Sequence, residues 1–97
     1  MLTVISNSEL AKIREEDVEV LKVMAHPVRL KIISELKYHK MCNVKQLTEI
    51  LGIPQSTVSQ HLSKLKGSII RADRRGLERH YYIDNAKVFR ISEILGL

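Results

Sequence analysis

Tryptophan is absent from the chain, and phenylalanine and cysteine occur once each. A single cysteine cannot staple a secreted disulfide scaffold, so a hydrophobic core must hold the fold and the expected compartment is the cytoplasm. No apolar run approaches the ~18 residues that a membrane helix needs, so no membrane partner is expected. Met1-Leu2-Thr3-Val4-Ile5 has neither the basic flank nor the small-residue cleavage site of a signal peptide. Only four glycines are present, none of them in a phosphate-cradling loop, and no nucleophile–base–orienter pattern stands out. An enzyme is therefore not expected, nor is a cofactor. Acidic residues are scarce in one region: residues 55–90 hold three Asp/Glu against eight Lys/Arg, whereas residues 1–54 hold seven against eight.

What is present fits one small soluble domain spanning 1–97, with 44% hydrophobic and 28% charged residues and a net charge of +5. The basic second half points to a polyanion, nucleic acid first. A chain this short also leaves much apolar surface uncovered unless it associates.

Ser6-Asn7-Ser8-Glu9 reads as a capping box, and Leu10, Ile13, Val20, Leu21 and Met24 follow at helical spacings. We read residues 6–25 as one long helix, although the acids Glu15-Glu16-Asp17 could instead open a second one. Pro27 suits the first turn of the next helix, which runs to about Tyr38–Lys40. His26 is its expected cap; Leu30, Ile33 and Leu36 are its expected buried stripe, with Arg29, Lys31 and Lys37 on the wet sides. Asn43 caps a short helix over Val44–Leu51, with Leu47, Ile50 and Leu51 inward and Gly52 as its stop.

Only Ile53 and Pro54 separate that stop from a further helix, Gln55 to Lys66, whose Val58, Leu62 and Leu65 share a face. Two helices joined by a tight glycine-containing turn, here over 43–66, make a helix-turn-helix. The outer face of the second helix carries Gln55, Ser56, Thr57, Ser59, Gln60, Ser63 and Lys64. Glu and Lys would be better helix formers on a purely solvated face. Short hydroxyl and amide groups both give and accept hydrogen bonds, which suits reading base edges in a major groove. His61 flanks that face.

A β-hairpin is predicted over 69–84, from Ile69–Asp73 and Leu77–Ile83 around Arg74-Arg75-Gly76. Its arginines, with Arg71 and Arg79 near, would form a cationic finger able to touch phosphates or enter a narrow minor groove. Lys66 is a further candidate phosphate contact. Asp84 or Asn85 caps a last helix over 86–96, whose Val88, Phe89, Ile91, Ile94 and Leu95 cover more than one narrow stripe. Burying Leu10, Ile13, Leu21, Val88, Ile91, Ile94 and Leu95 calls for a second copy, so the first and last helices are expected to form a homodimer.

In this order of elements, residues Leu21 to Leu95 resemble the bacterial ArsR/SmtB family of winged helix-turn-helix repressors. The resemblance rests on the run Leu21 to Ile33 with its Ala25-His26-Pro27-Val28-Arg29-Leu30, on Leu51 to Leu65, and on Arg75-Gly76 followed by Tyr81-Tyr82-Ile83. It implies a mainly α winged helix-turn-helix fold: four helices, a small β-hairpin and a fifth helix. It further implies a homodimer that binds an inverted repeat in double-stranded DNA and blocks transcription. Gln55, Ser56, Thr57, Ser59 and Gln60 match the recognition-helix segment, and Arg74 and Arg75 the wing tip. Pro54 departs from the pattern by standing where many relatives have a serine N-cap.

Many members of that family release DNA on binding a metal. The positions matching the cysteine-rich site are Asn43 and Lys45, both poor ligands for soft metals; those matching the C-terminal-helix site are Asp84 and Ala86. No metal or small-molecule inducer is therefore evident. Cys42 is a candidate redox thiol if His39 and Lys40 approach it and lower its pKa, with a half-buried structural cysteine as the plainer alternative. The same fold could also serve as a protein-binding module, such as an antirepressor.

Overall fold

A computed structural model describes residues 3–97 and contains six helices and two strands in the order α1 (Asn7–Leu10), α2 (Glu15–Met24), α3 (Pro27–His39), α4 (Val44–Leu51), α5 (Gln55–Leu65), β1 (Ile70–Arg75), β2 (Glu78–Ile83) and α6 (Ala86–Ile94). Side-chain caps open four of these helices. Ser6 Oγ accepts from the Glu9 N–H, and His26 Nδ1 accepts from the Val28 N–H at 3.1 Å. Asn43 and Gln46 form a reciprocal capping box with both bonds at 2.8 Å. Asn85 Oδ1 accepts from the Lys87 and Val88 N–H groups. Gly52 ends α4 at φ +66°, a conformation that side-chain-bearing residues resist.

The single long first helix is not observed. The chain turns after Leu10, and Arg14 is extended at φ −81°, ψ 129°. Glu15, Glu16 and Asp17 then fill the first turn of α2, where negative charge meets the positive end of the helix dipole. Six helices thus replace the expected five.

The core gathers Val20 and Met24 of α2, Ile32, Ile33 and Leu36 of α3, Leu47 of α4, and Val58, Leu62 and Leu65 of α5. Each such side chain removed from water stabilises the fold by about 1.5–3 kcal/mol. The face of α3 is rotated from the predicted one: Ile32 is fully buried, while Leu30 is only half-buried. Arg29 and Lys37, expected on wet sides, are half-buried because each finds a main-chain carbonyl, at Val23 and Leu97 respectively. Ile50, expected to point inward, stays exposed, since Leu47 alone of the α4 side chains is fully covered.

The strands pair antiparallel with Ile70 opposite Ile83, Ala72 opposite Tyr81 and Arg74 opposite Arg79. Their connection is the two-residue turn Gly76-Leu77, with Gly76 at φ +66° as the first central position of a primed hairpin turn favours. The turn therefore lies two residues beyond the predicted tip, and Arg74 and Arg75 are the last residues of β1. Cys42 covers the free edge of β2 through two main-chain bonds with Tyr81, at 3.0 and 2.8 Å. That bridge fixes the hairpin against the start of α4.

Candidate nucleic-acid interface

Burial of Val58, Leu62 and Leu65 sets the rotation of α5. Gln55, Ser56, Gln60, Ser63, Lys64 and the adjoining Lys66 are exposed, while Thr57 and Ser59 are half-buried at the edges of the face. Among the described residues, no intramolecular hydrogen bond engages the side chains of Gln55, Ser56, Ser59, Gln60 or Ser63. Their donors and acceptors are free for a partner. Pro54 gives α5 no side-chain cap, so the positive end of the helix is left uncovered as well.

The wing stands beside this face. Strand alternation puts Arg74 and Arg79 on the side that also carries Ile70, Ala72, Tyr81 and Ile83, as directly opposed like charges. Such a pair opposes the fold unless an anion lies across it. Arg74 Nε also donates to the Gly76 carbonyl at 3.3 Å, which steadies the turn. Arg75 lies opposite Glu78. Leu77, 96% exposed, projects at the tip.

One of the sequence expectations changes here. Arg71 sits near the base of the hairpin and forms an ion pair with Asp84, so it does not belong to the cationic tip. Arg79, expected in the finger, stands there opposite Arg74 and lines a groove of about 330 Å³ with Asn43, Lys45, Gln55, Leu77 and Glu78. Lys45 is exposed on the same groove, a placement that the inward periodicity of α4 does not report. On the other flank of α5, Arg29, Gln60, His61, Ser63 and Lys64 line a cleft of about 410 Å³. His61 accepts from Arg29 there, and burial followed by its neighbours His26 and Arg29 holds it below its ordinary pKa of 6.5.

Cys42 is almost fully buried. Burial pushes its thiol above the ordinary value of 9.0, and the Glu35 carboxylate adds to the effect. His39 gives its Nε2 to Glu35 at 3.2 Å instead of activating the thiol. The environment is thus the opposite of the activating one considered for a redox cysteine. Of the positions that could have matched metal sites, Asn43 is spent in its capping box and Asp84 in its pair with Arg71. Among the described residues, no three His, Cys, Asp or Glu side chains converge as a metal site would require. Among the described residues, no helix is long and apolar enough to cross a membrane.

Residues 26–68, which contain α3, α4, α5 and the turn between the last two, match the family described as bacterial regulatory protein, arsR family. The chain is 54% identical to the transcriptional repressor PagR of Bacillus anthracis over 84% of its own length and 83% of the relative's. This chain belongs to the ArsR family. Another relative is the nodulation protein NolR of Rhizobium meliloti, 36% identical over 86% of this chain and 69% of that protein. The crystal structure of PagR superposes with a TM-score of 0.81 at 50% identity, covering 93% of this chain and 99% of that one. The ArsR chain described here is accordingly a DNA-binding transcription regulator with a winged helix-turn-helix fold, not an enzyme.

The apolar residues expected at a dimer face divide into two groups. Leu10, Ile13, Leu21, Ile94 and Leu95 are exposed. Val88 is 0% exposed and belongs to the core of the single chain, so it cannot meet a second copy; Ile91 is half-buried against that core. Val18 and Phe89, both exposed, extend the uncovered surface of α2 and α6.

Proposed function

We propose that this ArsR-family regulator is a cytoplasmic repressor that acts as a homodimer on an inverted repeat in double-stranded DNA. The observation that carries the reading is the unbonded polar face of α5 flanked by the opposed arginines of the wing. In this reading, 43–66 reads the groove, 69–84 is the wing, and the segments 6–25 and 86–96 pair the two copies within one domain of 1–97. The recognition helices of the dimer enter successive major grooves about 34–36 Å apart. Gln55, Ser56, Thr57, Ser59, Gln60 and Ser63 read base edges; Lys64, Lys66, Arg74, Arg75 and Arg79 bind phosphates or the minor groove. The 54% identity to a protein named as a transcriptional repressor supports repression over activation.

Footprinting on the DNA upstream of its own gene, across a salt series, tests this. A protected inverted repeat with a steep negative salt slope is expected. Gln60→Ala should weaken the preferred site by ~1–3 kcal/mol and relax its sequence preference, whereas Arg74→Ala should weaken all sequences alike and flatten the salt slope. Salt-independent behaviour, or no protection there and none on a random-sequence pool, would favour a protein-binding role for the same fold.

A further inference from the structure

His61 lies on α5 directly after Gln60, and its imidazole turns from the DNA-reading face toward the start of α3. Its ring centroid is 4.5 Å from that of His26, with the planes at 51°. Nδ1 of His61 accepts from Nε–H of Arg29 at 3.2 Å, and Nη1 of Arg29 donates to the Val23 carbonyl at 3.2 Å. His26 meanwhile caps α3 through its own Nδ1. The end of α2, the first turn of α3 and the middle of α5 therefore meet at three half-buried polar side chains. Apolar packing explains none of these contacts.

We propose that Arg29, His61 and His26 form a clasp that positions the recognition helix against α3, and that protonation of His61 opens it. The proposal rests on the DNA-binding reading above. A guanidinium only donates, so His61 must offer a lone pair at Nδ1 and carry its proton on Nε2. A second proton turns that acceptor into a donor facing a donor. The surrounding groups give the new charge no relief: Arg29 and His26 face it from α3 and its cap, Lys64 lines the same cleft from α5, and α2 presents the Val23 carbonyl already held by Arg29. The cleft lining holds no carboxylate. With His61 held below its ordinary value of 6.5, the clasp is closed at neutral pH and opens on acidification past that point. Opening loosens the placement of Gln60 and Ser63 while adding positive charge to the same surface. Base readout weakens, and attraction to phosphate does not.

The test uses a duplex selected by the wild-type protein from a random pool at about pH 7.5, and a scrambled duplex of the same length. Both affinities are measured at about pH 7.5 and about pH 5.5 at one ionic strength. The ratio of specific to scrambled affinity should fall ~tenfold on acidification, the size of one lost charge-assisted hydrogen bond. His61→Gln keeps an amide acceptor for Arg29 and does not titrate, so its ratio should hold at both pH values. His61→Leu, folded by circular dichroism, should have a low ratio at both. A flat wild-type ratio overturns the proposal, as does an equal fall in His61→Gln, which would place the pH dependence outside His61. Failure to bind any duplex at the higher pH would instead remove the DNA-binding reading and the clasp's purpose together.

Discussion

Cys42 and His61 show how far a side chain's chemistry departs from that of its neighbours in the sequence. Cys42 follows His39 and Lys40 closely, which suggested an activated thiol. Its backbone, however, pairs with Tyr81 and its side chain is buried with the core, while His39 turns back along α3 to Glu35. Periodicity does not report such a reversal, because it depends on a strand that arrives almost forty residues later. The raised thiol pKa has a definite sign: the folded state keeps its proton when the unfolded chain would lose it. Cys42 thus contributes stability that is complete below about pH 9 and is lost as the pH rises past that value. Iodoacetamide should label native protein at neutral pH at least ~tenfold more slowly than the urea-unfolded chain. DNA affinity should survive mild peroxide. Labelling at the rate of a free thiol, or release of DNA on oxidation, would restore the redox reading. For His61 the sign is reversed. Its depressed pKa contributes stability present above about pH 6.5 and lost as the pH falls below it.

At the scale of elements, caps and stops were legible and rotations were not. Asn43, Gly52, Pro27 and Asn85 mark helix ends through local chemistry that a sequence displays openly. The division of the N-terminal region into α1 and α2 was ambiguous for a physical reason. Leu10 and Ile13 fit helical spacing whether or not a turn intervenes, and only the three acids at the start of α2 favour the break. The hairpin turn was misplaced because arginine suits strand and turn about equally, whereas glycine at positive φ is decisive. Among these devices the capping box of α4 bears most directly on the DNA-reading pair of helices. Asn43 also donates through Nδ2 to Glu78 at 3.2 Å, so it fastens the wing as well as the helix. Asn43→Ala should cost about 1 kcal/mol of stability, seen as a lower urea midpoint with an unchanged slope. Asn43→Asp, which keeps the capping acceptor but places a carboxylate beside Glu78, should retain the helix and loosen the wing. An unchanged midpoint in Asn43→Ala would mean that the box contributes little beyond what water supplies.

For the whole molecule, the question is what covers α2 and α6. The surplus of apolar residues in a chain of 97 predicts a partner, but which of them face outward is not legible in the sequence. Val88 and Ile94 both look like interface residues in the sequence, six positions apart on one helix, yet one is fully buried and the other is 81% exposed. This contrast separates association from folding. Ile94→Glu changes a solvent-facing side chain, so the stability of the single chain should move by no more than ~0.5 kcal/mol. Paired with Leu21→Glu on α2, where the side chain is 56% exposed, it places charge on both faces assigned to the dimer. Sedimentation should then give a folded species of 11.2 kDa, against twice that mass for the proposed wild-type dimer. Each recognition helix would bind its half-site alone, and affinity for the full inverted repeat should drop at least ~100-fold as the linked second contact is lost. Val88→Glu should instead unfold the chain, because it buries an unpaired carboxylate in the core. If the double variant kept the dimer mass and the operator affinity, the pairing surface would have to be sought away from α2 and α6.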